Sequence, residues 1–196
     1  MLNFGCERHC ALFIYHDKIM QLNIKTPGSP DEVKELRTLF EDYLKFVYWT
    51  EKALIPALSF IIKSVRSQDF AKILMLHMAN THMHSDRLEK IFESIGIKSE
   101  EKRFEPIESL INEIEIIISQ TNTGMVRDAA IIALVQHIIH SEIASYGTLK
   151  SFAITLKEED VVVLLEKNLD DEKEMDRKLS AIAEAYINDE AANKEV

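Results

Sequence analysis

Apolar residues recur at helical spacing in four long segments of this chain, and this periodicity constrains the fold more than any other feature. In the first segment Val47, Leu54 and Leu58 share one face, because positions i, i+7 and i+11 lie on the same side of a helix. The chain has only five glycines and four prolines, and no Asn-Gly or Asp-Gly turn separates alternating apolar runs. The sequence therefore predicts an all-α fold.

Start and stop signals divide the chain into four long helices and one short one. Ser29 as N-cap, Pro30 at the first helical position and Glu32 three residues after the cap predict a long first helix that ends near residue 66. The other predicted helices cover about 68–95, a short segment opened by Pro106, about 125–155 and about 159–187. Helices of these lengths with short or moderate connections are typical of a helical bundle.

The length of 196 residues suits one domain with a full core and is too short for two. We expect residues 1–28 to be an N-terminal extension outside the core, 29–187 to be the bundle, and 188–196 to be an acidic tail. Both cysteines, Cys6 and Cys10, lie in the extension, so disulfides do not hold the predicted bundle together.

The charge of the chain excludes some partners. A formal net charge of −10 and no cluster of lysines or arginines oppose binding to nucleic acid. The apolar runs are far shorter than the roughly 20 residues that span a bilayer, so we expect no membrane segment. A cytoplasmic protein is the resulting expectation.

Acidic residues interrupt the predicted core face of three helices. Glu51 lies in the apolar stripe of the first helix and Glu142 in that of the fourth. The fifth helix carries Glu172 and Asp176 one turn apart on its apolar stripe. Four acids on three buried faces indicate a shared polar site.

The second helix contributes histidines to the same interior. His77 and His84 fall near the centre of its apolar stripe, with Thr81 between them, whereas His82 lies on the far side. An isolated buried carboxylate costs several kcal/mol unless it is protonated, paired or coordinated. Most lysines and arginines lie off these stripes, so a divalent metal would supply the positive charge. Oxygen ligands with one or two imidazoles suit iron, manganese or zinc.

Several segments resemble the YciE/YciF ferroxidase family of the ferritin-like superfamily, over roughly residues 36–185. They are "LRTLFEDYLKFVYWTEKALIPAL", "THMHSDRLEKIFESIG", "VRDAAIIALVQHIIHSEIASYGTL" and "LDDEKEMDRKLSAIA". The resemblance implies a ferritin-like four-helix bundle with one additional short helix. It also implies a di-iron site and a role in the bacterial stress response.

The resemblance assigns the metal ligands residue by residue: Glu51, His84, Glu142, Glu172 and Asp176. Asp176 can either coordinate the metal or support a ligand. Two positions differ from the family pattern, because Asn80 and Ile139 stand where the family usually has glutamates. Asparagine still offers a carbonyl oxygen and isoleucine offers nothing. His77 can compensate as a ligand, or it can be a hydrogen-bonded core residue.

Two functions follow from these observations. The first is a ferritin-like metalloprotein with ferroxidase-type chemistry, which oxidises ferrous iron with O₂ or peroxide and needs no catalytic residue beyond its metal ligands. The second is a metal-poor bundle with a degenerate site that acts as a structural or interaction protein. The resemblance is also compatible with a homodimer.

Overall fold

The computed structural model describes residues 35–193, and these residues form helices packed side by side. The four long helices are α1 (Leu36–Ile62), α2 (Gln68–Ser94), α4 (Met125–Leu156) and α5 (Glu159–Ile182). A shorter helix, α3 (Glu105–Gln120), connects α2 to α4. After α5 come a π-helical turn (Ala183–Ile187) and a short helix, α6 (Asn188–Ala192). No strand occurs within residues 35–193, and the predicted all-α bundle is confirmed.

The boundaries of the first helix differ from the prediction. The predicted N-cap Ser29 and the predicted extension 1–28 lie outside the described residues. Glu35 is not helical, and α1 ends at Ile62 rather than near residue 66. The chain tightens there into a turn, in which the Ser64 amide donates to the Ile61 carbonyl at 2.8 Å. Ser67 then caps α2 by accepting a hydrogen bond from the Phe70 amide.

The C-terminal end is also more helical than predicted. Within the predicted acidic tail, 188–196, the short helix α6 occupies Asn188–Ala192 and follows α5 through the π-helical turn. Tyr186 in that turn shares a hydrogen bond with the hydroxyl of Ser67 at the start of α2. No residue of α6 is buried, so this last helix adds little to the core.

A buried aspartate of α4 fixes the connection between α1 and α2. Asp128 is fully buried and accepts hydrogen bonds from the backbone amides of Arg66 and Ser67, at 2.9 Å and 2.7 Å. Its carboxylate thus satisfies amides at the N-terminus of α2 that the helix leaves without partners. This contact positions the start of α2 against α4.

The core consists of two apolar clusters at opposite ends of the bundle. One cluster includes Leu58 of α1, Leu74 of α2 and Val135 of α4, and the other includes Leu44, Leu88 and Leu149 of the same three helices. Between the two clusters, each long helix presents buried polar side chains. A polar layer therefore crosses the middle of the bundle. Among the helices of the described region, none has the length and apolar character needed to cross a membrane.

Candidate metal centre

The polar layer brings together side chains from all four long helices. Each is at most 1 % exposed: Glu51 of α1, His77 and His84 of α2, Glu142 of α4, and Glu172 of α5. The helical repeat explains this convergence, because each residue continues the apolar stripe of its helix. The predicted inward orientation of both histidines is confirmed, and His82 is exposed as expected.

His84 stands between two of the carboxylates. Its Nδ1 lies 3.2 Å from Glu51 Oε1 and 3.3 Å from Glu172 Oε1. Tyr146 of α4 donates a hydrogen bond to the same oxygen of Glu51, and its ring packs edge-on against the imidazole. Glu51 and His84 are therefore held in place by neighbours that lie inside the bundle.

His77 forms a second group with Glu142 and Glu172. One donor atom from each of these three residues lies within 4.8 Å of the other two, which is close enough for one metal ion to contact all three. His77 Nε2 is 3.6 Å from Glu172 Oε1, too far for a good hydrogen bond. Glu172 belongs to both groups, since it also approaches His84.

Many donor atoms in this layer have no hydrogen-bond partner in the part of the chain that the structure describes. They are both oxygens of Glu142, both oxygens of Glu172, both ring nitrogens of His77 and Oε2 of Glu51. Buried polar atoms are normally hydrogen-bonded, and a cluster of unpartnered ones needs an explanation. A metal ion that accepts electron pairs from these atoms would provide one. The donor set of carboxylates and imidazoles suits iron, manganese or zinc.

The electrostatics of the layer favour a cation. Burial raises the pKa of Glu142 well above its usual value, and the nearby carboxylates of Glu172 and Glu51 raise it further. For His84, burial lowers the pKa, but the charge of Glu51 and its hydrogen bond outweigh burial and leave the pKa raised. No lysine or arginine of the described chain forms an ion pair with Glu51, Glu142 or Glu172. The positive charge missing from this layer has to come from protons or from a bound cation.

Asp176 contacts residues outside these donor groups. It is half-buried, and its carboxylate accepts a hydrogen bond from Gln136 at 2.9 Å and lies 3.2 Å from Nε2 of the exposed His140. These partners lie at the edge of the bundle, where Asp176 meets α4. Its predicted role as a ligand or as a support for one stays a prediction.

The two departures from the family pattern occupy different surroundings. Ile139 is fully buried in an apolar cluster, so its position contributes only packing. Asn80 is half-buried and lines a surface depression together with Asp171 and Lys178. Neither residue supplies a carboxylate, whereas His77 brings an imidazole into the group with Glu142 and Glu172.

Asp171 is a contributor that the sequence pattern did not single out. Its Oδ2 lies 3.3 Å from Nε2 of His84 and accepts a hydrogen bond from Arg87 at 2.6 Å. Arg87 also donates to the side chain of Asn168 at 2.8 Å. With Nε2 directed at this carboxylate, Nδ1 of His84 faces Glu51 and Glu172. The run "LDDE" places Asp171 beside Glu172, but only the contact with His84 reveals its part.

The fold and the site define a class of protein, namely four-helix bundles with a buried cluster of carboxylates and imidazoles. A family model described as a domain of unknown function, DUF892, matches residues 35–192. Protein YciF of Escherichia coli K12 is 33% identical over 163 residues, which cover 83% of this chain and 98% of that protein. This chain belongs to the YciF (DUF892) family.

Solved structures agree with this assignment. The E. coli stress protein YciF superposes with a TM-score of 0.75 at 33% identity, covering 83% of this chain and 100% of that one. YcfI of Rhodopseudomonas palustris, described provisionally as a structural protein, gives 0.74 at 30% identity, covering 78% and 97%. A protein of Xanthomonas campestris gives 0.67 at 18% identity, covering 83% and 100%, and supports the fold alone.

Proposed function

We propose that this protein binds iron in the polar layer of its bundle and oxidises ferrous iron with O₂ or peroxide as electron acceptor. The observation that carries the proposal is the group of His77, Glu142 and Glu172. One donor atom from each lies within 4.8 Å of the other two, and the buried donor atoms lack hydrogen-bond partners among the described residues. Because a relative is described as a stress protein, we place this activity in the bacterial stress response.

The donors divide into two overlapping sets. His84 lies near Glu51 and Glu172, while His77 is grouped with Glu142 and Glu172. In the proposal each set would hold one ion, and Glu172 is a member of both sets. Manganese or zinc would fit the same donors. The buried Ile139 leaves the second set with fewer negative charges than the family pattern offers, so the proposal allows occupancy by a single ion.

Iron held by these residues would supply the redox chemistry, in which two ferrous ions become ferric and one O₂ takes up the two electrons and two protons to become hydrogen peroxide. The chain orients the ligands and excludes bulk water. Asp171 holds the ring of His84, and Tyr146 holds Glu51. Glu142, whose raised pKa favours the protonated form, would release its proton when a cation binds.

The test is the metal content of protein purified without chelator, followed by anaerobic titration with ferrous iron. We expect stoichiometric metal in the wild type and loss of binding in Glu142→Ala, His84→Ala and His77→Ala. His82→Ala is the matched control, because this histidine lies on the same helix but is exposed. Stopped-flow mixing with O₂ then measures the oxidation. Bound iron that oxidises no faster than in buffer would refute the ferroxidase part and leave a metal site with another role.

A metal-poor bundle with a structural or interaction role is the second candidate. It is favoured by the contacts around His84, whose two ring nitrogens lie 3.2 Å from Glu51 Oε1 and 3.3 Å from Asp171 Oδ2. The buried Ile139 and the provisional description of YcfI agree with it. Substoichiometric metal that does not change in the three alanine variants would support this candidate over the first.

A further inference from the structure

A small cavity extends from the surface of the bundle to Glu142. Its walls come from α1, from the start of α3 and from α4, and they are mostly apolar. The buried part of the wall includes Val47, Thr50 and Ile107, and the half-buried part includes Phe46 and Phe104. The half-buried residues line the part of the cavity near the surface, and the buried residues line the part inside the bundle.

One wall of this cavity includes a buried glutamate. Glu142 lines the cavity, is 1 % exposed, and has no hydrogen-bond partner for either oxygen among residues 35–193. The same carboxylate belongs to the group with His77 and Glu172. A molecule inside the cavity would therefore lie against one member of the candidate metal centre. The members of that centre are otherwise sealed from solvent.

At the outer end of the cavity, the lining side chains pack against one another. The rings of Phe46 and Phe104 pack with their centroids 5.5 Å apart. The loop before α3 is fastened to α1, because the Lys102 amide donates to the Lys45 carbonyl at 3.1 Å and the Lys102 ammonium lies 4.7 Å from the Phe46 ring centre. These contacts hold the opening in one shape.

Size and polarity select what can enter. About 40 Å³ of the cavity is open to the centre of a water-sized molecule, a few times the roughly 10–15 Å³ that one water needs. A molecule of two heavy atoms fits, whereas a hydrated ferrous ion is too large and would have to shed its water against apolar walls at high cost. The hydroxyl of Thr50 is already bonded to the Phe46 carbonyl, so it adds little polarity.

We infer that this cavity is the entry route and docking space for dioxygen on its way to the metal centre. The inference rests on the proposed function, because it supplies the oxidant of that reaction. O₂ is apolar and small, so it enters an apolar passage without losing hydration, and it meets the centre at Glu142.

Xenon tests the cavity independently of any metal, because it binds in apolar cavities as O₂ does and can be located in a crystal. Crystals of the metal-free wild type under xenon pressure should show a xenon atom between Phe46, Phe104 and Glu142. Ser145→Leu places a larger apolar side chain on the cavity wall and should abolish that peak. Ser141→Leu is the second blocking variant, should the first not fold. Ser151→Leu is the matched control, because Ser151 lies on α4 but is exposed.

Kinetics then connect the cavity to the reaction. With iron bound, Ser145→Leu should bind ferrous iron as tightly as the wild type but should oxidise it with O₂ at a small fraction of the wild-type rate, while Ser151→Leu keeps the full rate. No xenon in the wild-type cavity, or a blocked variant that oxidises iron at the wild-type rate, would overturn the inference. Xenon binding in a wild type that never oxidises iron would overturn the proposed function and leave the cavity as a site for apolar gases.

Discussion

Replacing Glu142 with glutamine should stabilise the metal-free protein at neutral pH, even though the change removes a proposed ligand. Burial, with the carboxylates of Glu172 and Glu51, raises the pKa of Glu142 in the folded protein well above its ordinary value of 4.5. At pH values between 4.5 and the pKa of Glu142 in the folded protein, the unfolded chain has released the proton of this carboxyl and the folded protein retains it. Stability is therefore lost as the pH rises above 4.5, and the loss levels off above the folded-state pKa.

The size of the effect follows from this linkage. Each pH unit inside the window costs roughly 1 kcal/mol, so Glu142 can lower the free energy of unfolding by at most about 3 kcal/mol at pH 7. Glutamine has nearly the same shape and does not ionise. For a chain of this size that limit corresponds to a rise in Tm of up to roughly 6–12 °C. At about pH 5 the two proteins should differ by less than about 1 kcal/mol.

The assay is urea denaturation of chelator-treated wild type and Glu142→Gln, followed by circular dichroism at several values from about pH 5 to 8. The stability difference should grow with pH in favour of the variant. Glu115→Gln is the control, because Glu115 of α3 is exposed and its replacement should leave the wild-type pH profile unchanged. A difference between Glu142→Gln and wild type that stays constant with pH would refute the claim that this buried carboxyl holds its proton.

Three further substitutions test contacts around the site. Asp171→Asn should weaken metal binding by about 10–100-fold in titration calorimetry, because it loses the charge that orients the imidazole beside it, whereas the exposed Asp170→Asn should bind as wild type does. Asp128→Ala leaves two backbone amides without their acceptor and should lower the free energy of unfolding by about 1–3 kcal/mol in urea; an unchanged midpoint would show that the cap is dispensable. Tyr146→Phe should lower the free energy of unfolding of the metal-free protein by about 1.5–3 kcal/mol, because it removes the hydroxyl that donates to the buried Glu51. Equal stability of the variant and the wild type would show that this hydrogen bond does not stabilise the fold.

The orientation of the site residues could be predicted from the sequence because it is a local property. A residue that continues an apolar stripe at helical spacing must face the same way as its neighbours, and Glu51, His84, Glu142 and Glu172 are all buried as that reasoning requires. Whether these residues bind metal is a prediction that awaits the experiments above.

Helical periodicity could not predict which acidic residues of the fifth predicted helix contact the other site residues. Asp176 shares a stripe with Glu172, yet its carboxylate meets Gln136 and His140 at the edge of the bundle. Asp171 lies on the flank of that stripe, yet it contacts His84 in the interior. The position around one helix axis does not say which residues of the next helix lie at the same height.

The sequence by itself determined a bundle of four long helices with acids and histidines turned inward, because helical periodicity depends only on spacing along one chain segment. Only the tertiary structure decided that His77 joins Glu142 and Glu172, and that Glu142 lines a cavity beside Phe104. These contacts between helices depend on how far each helix is displaced along its neighbours and on where the loop before α3 binds to α1. Both are set by packing between segments that are distant in the sequence.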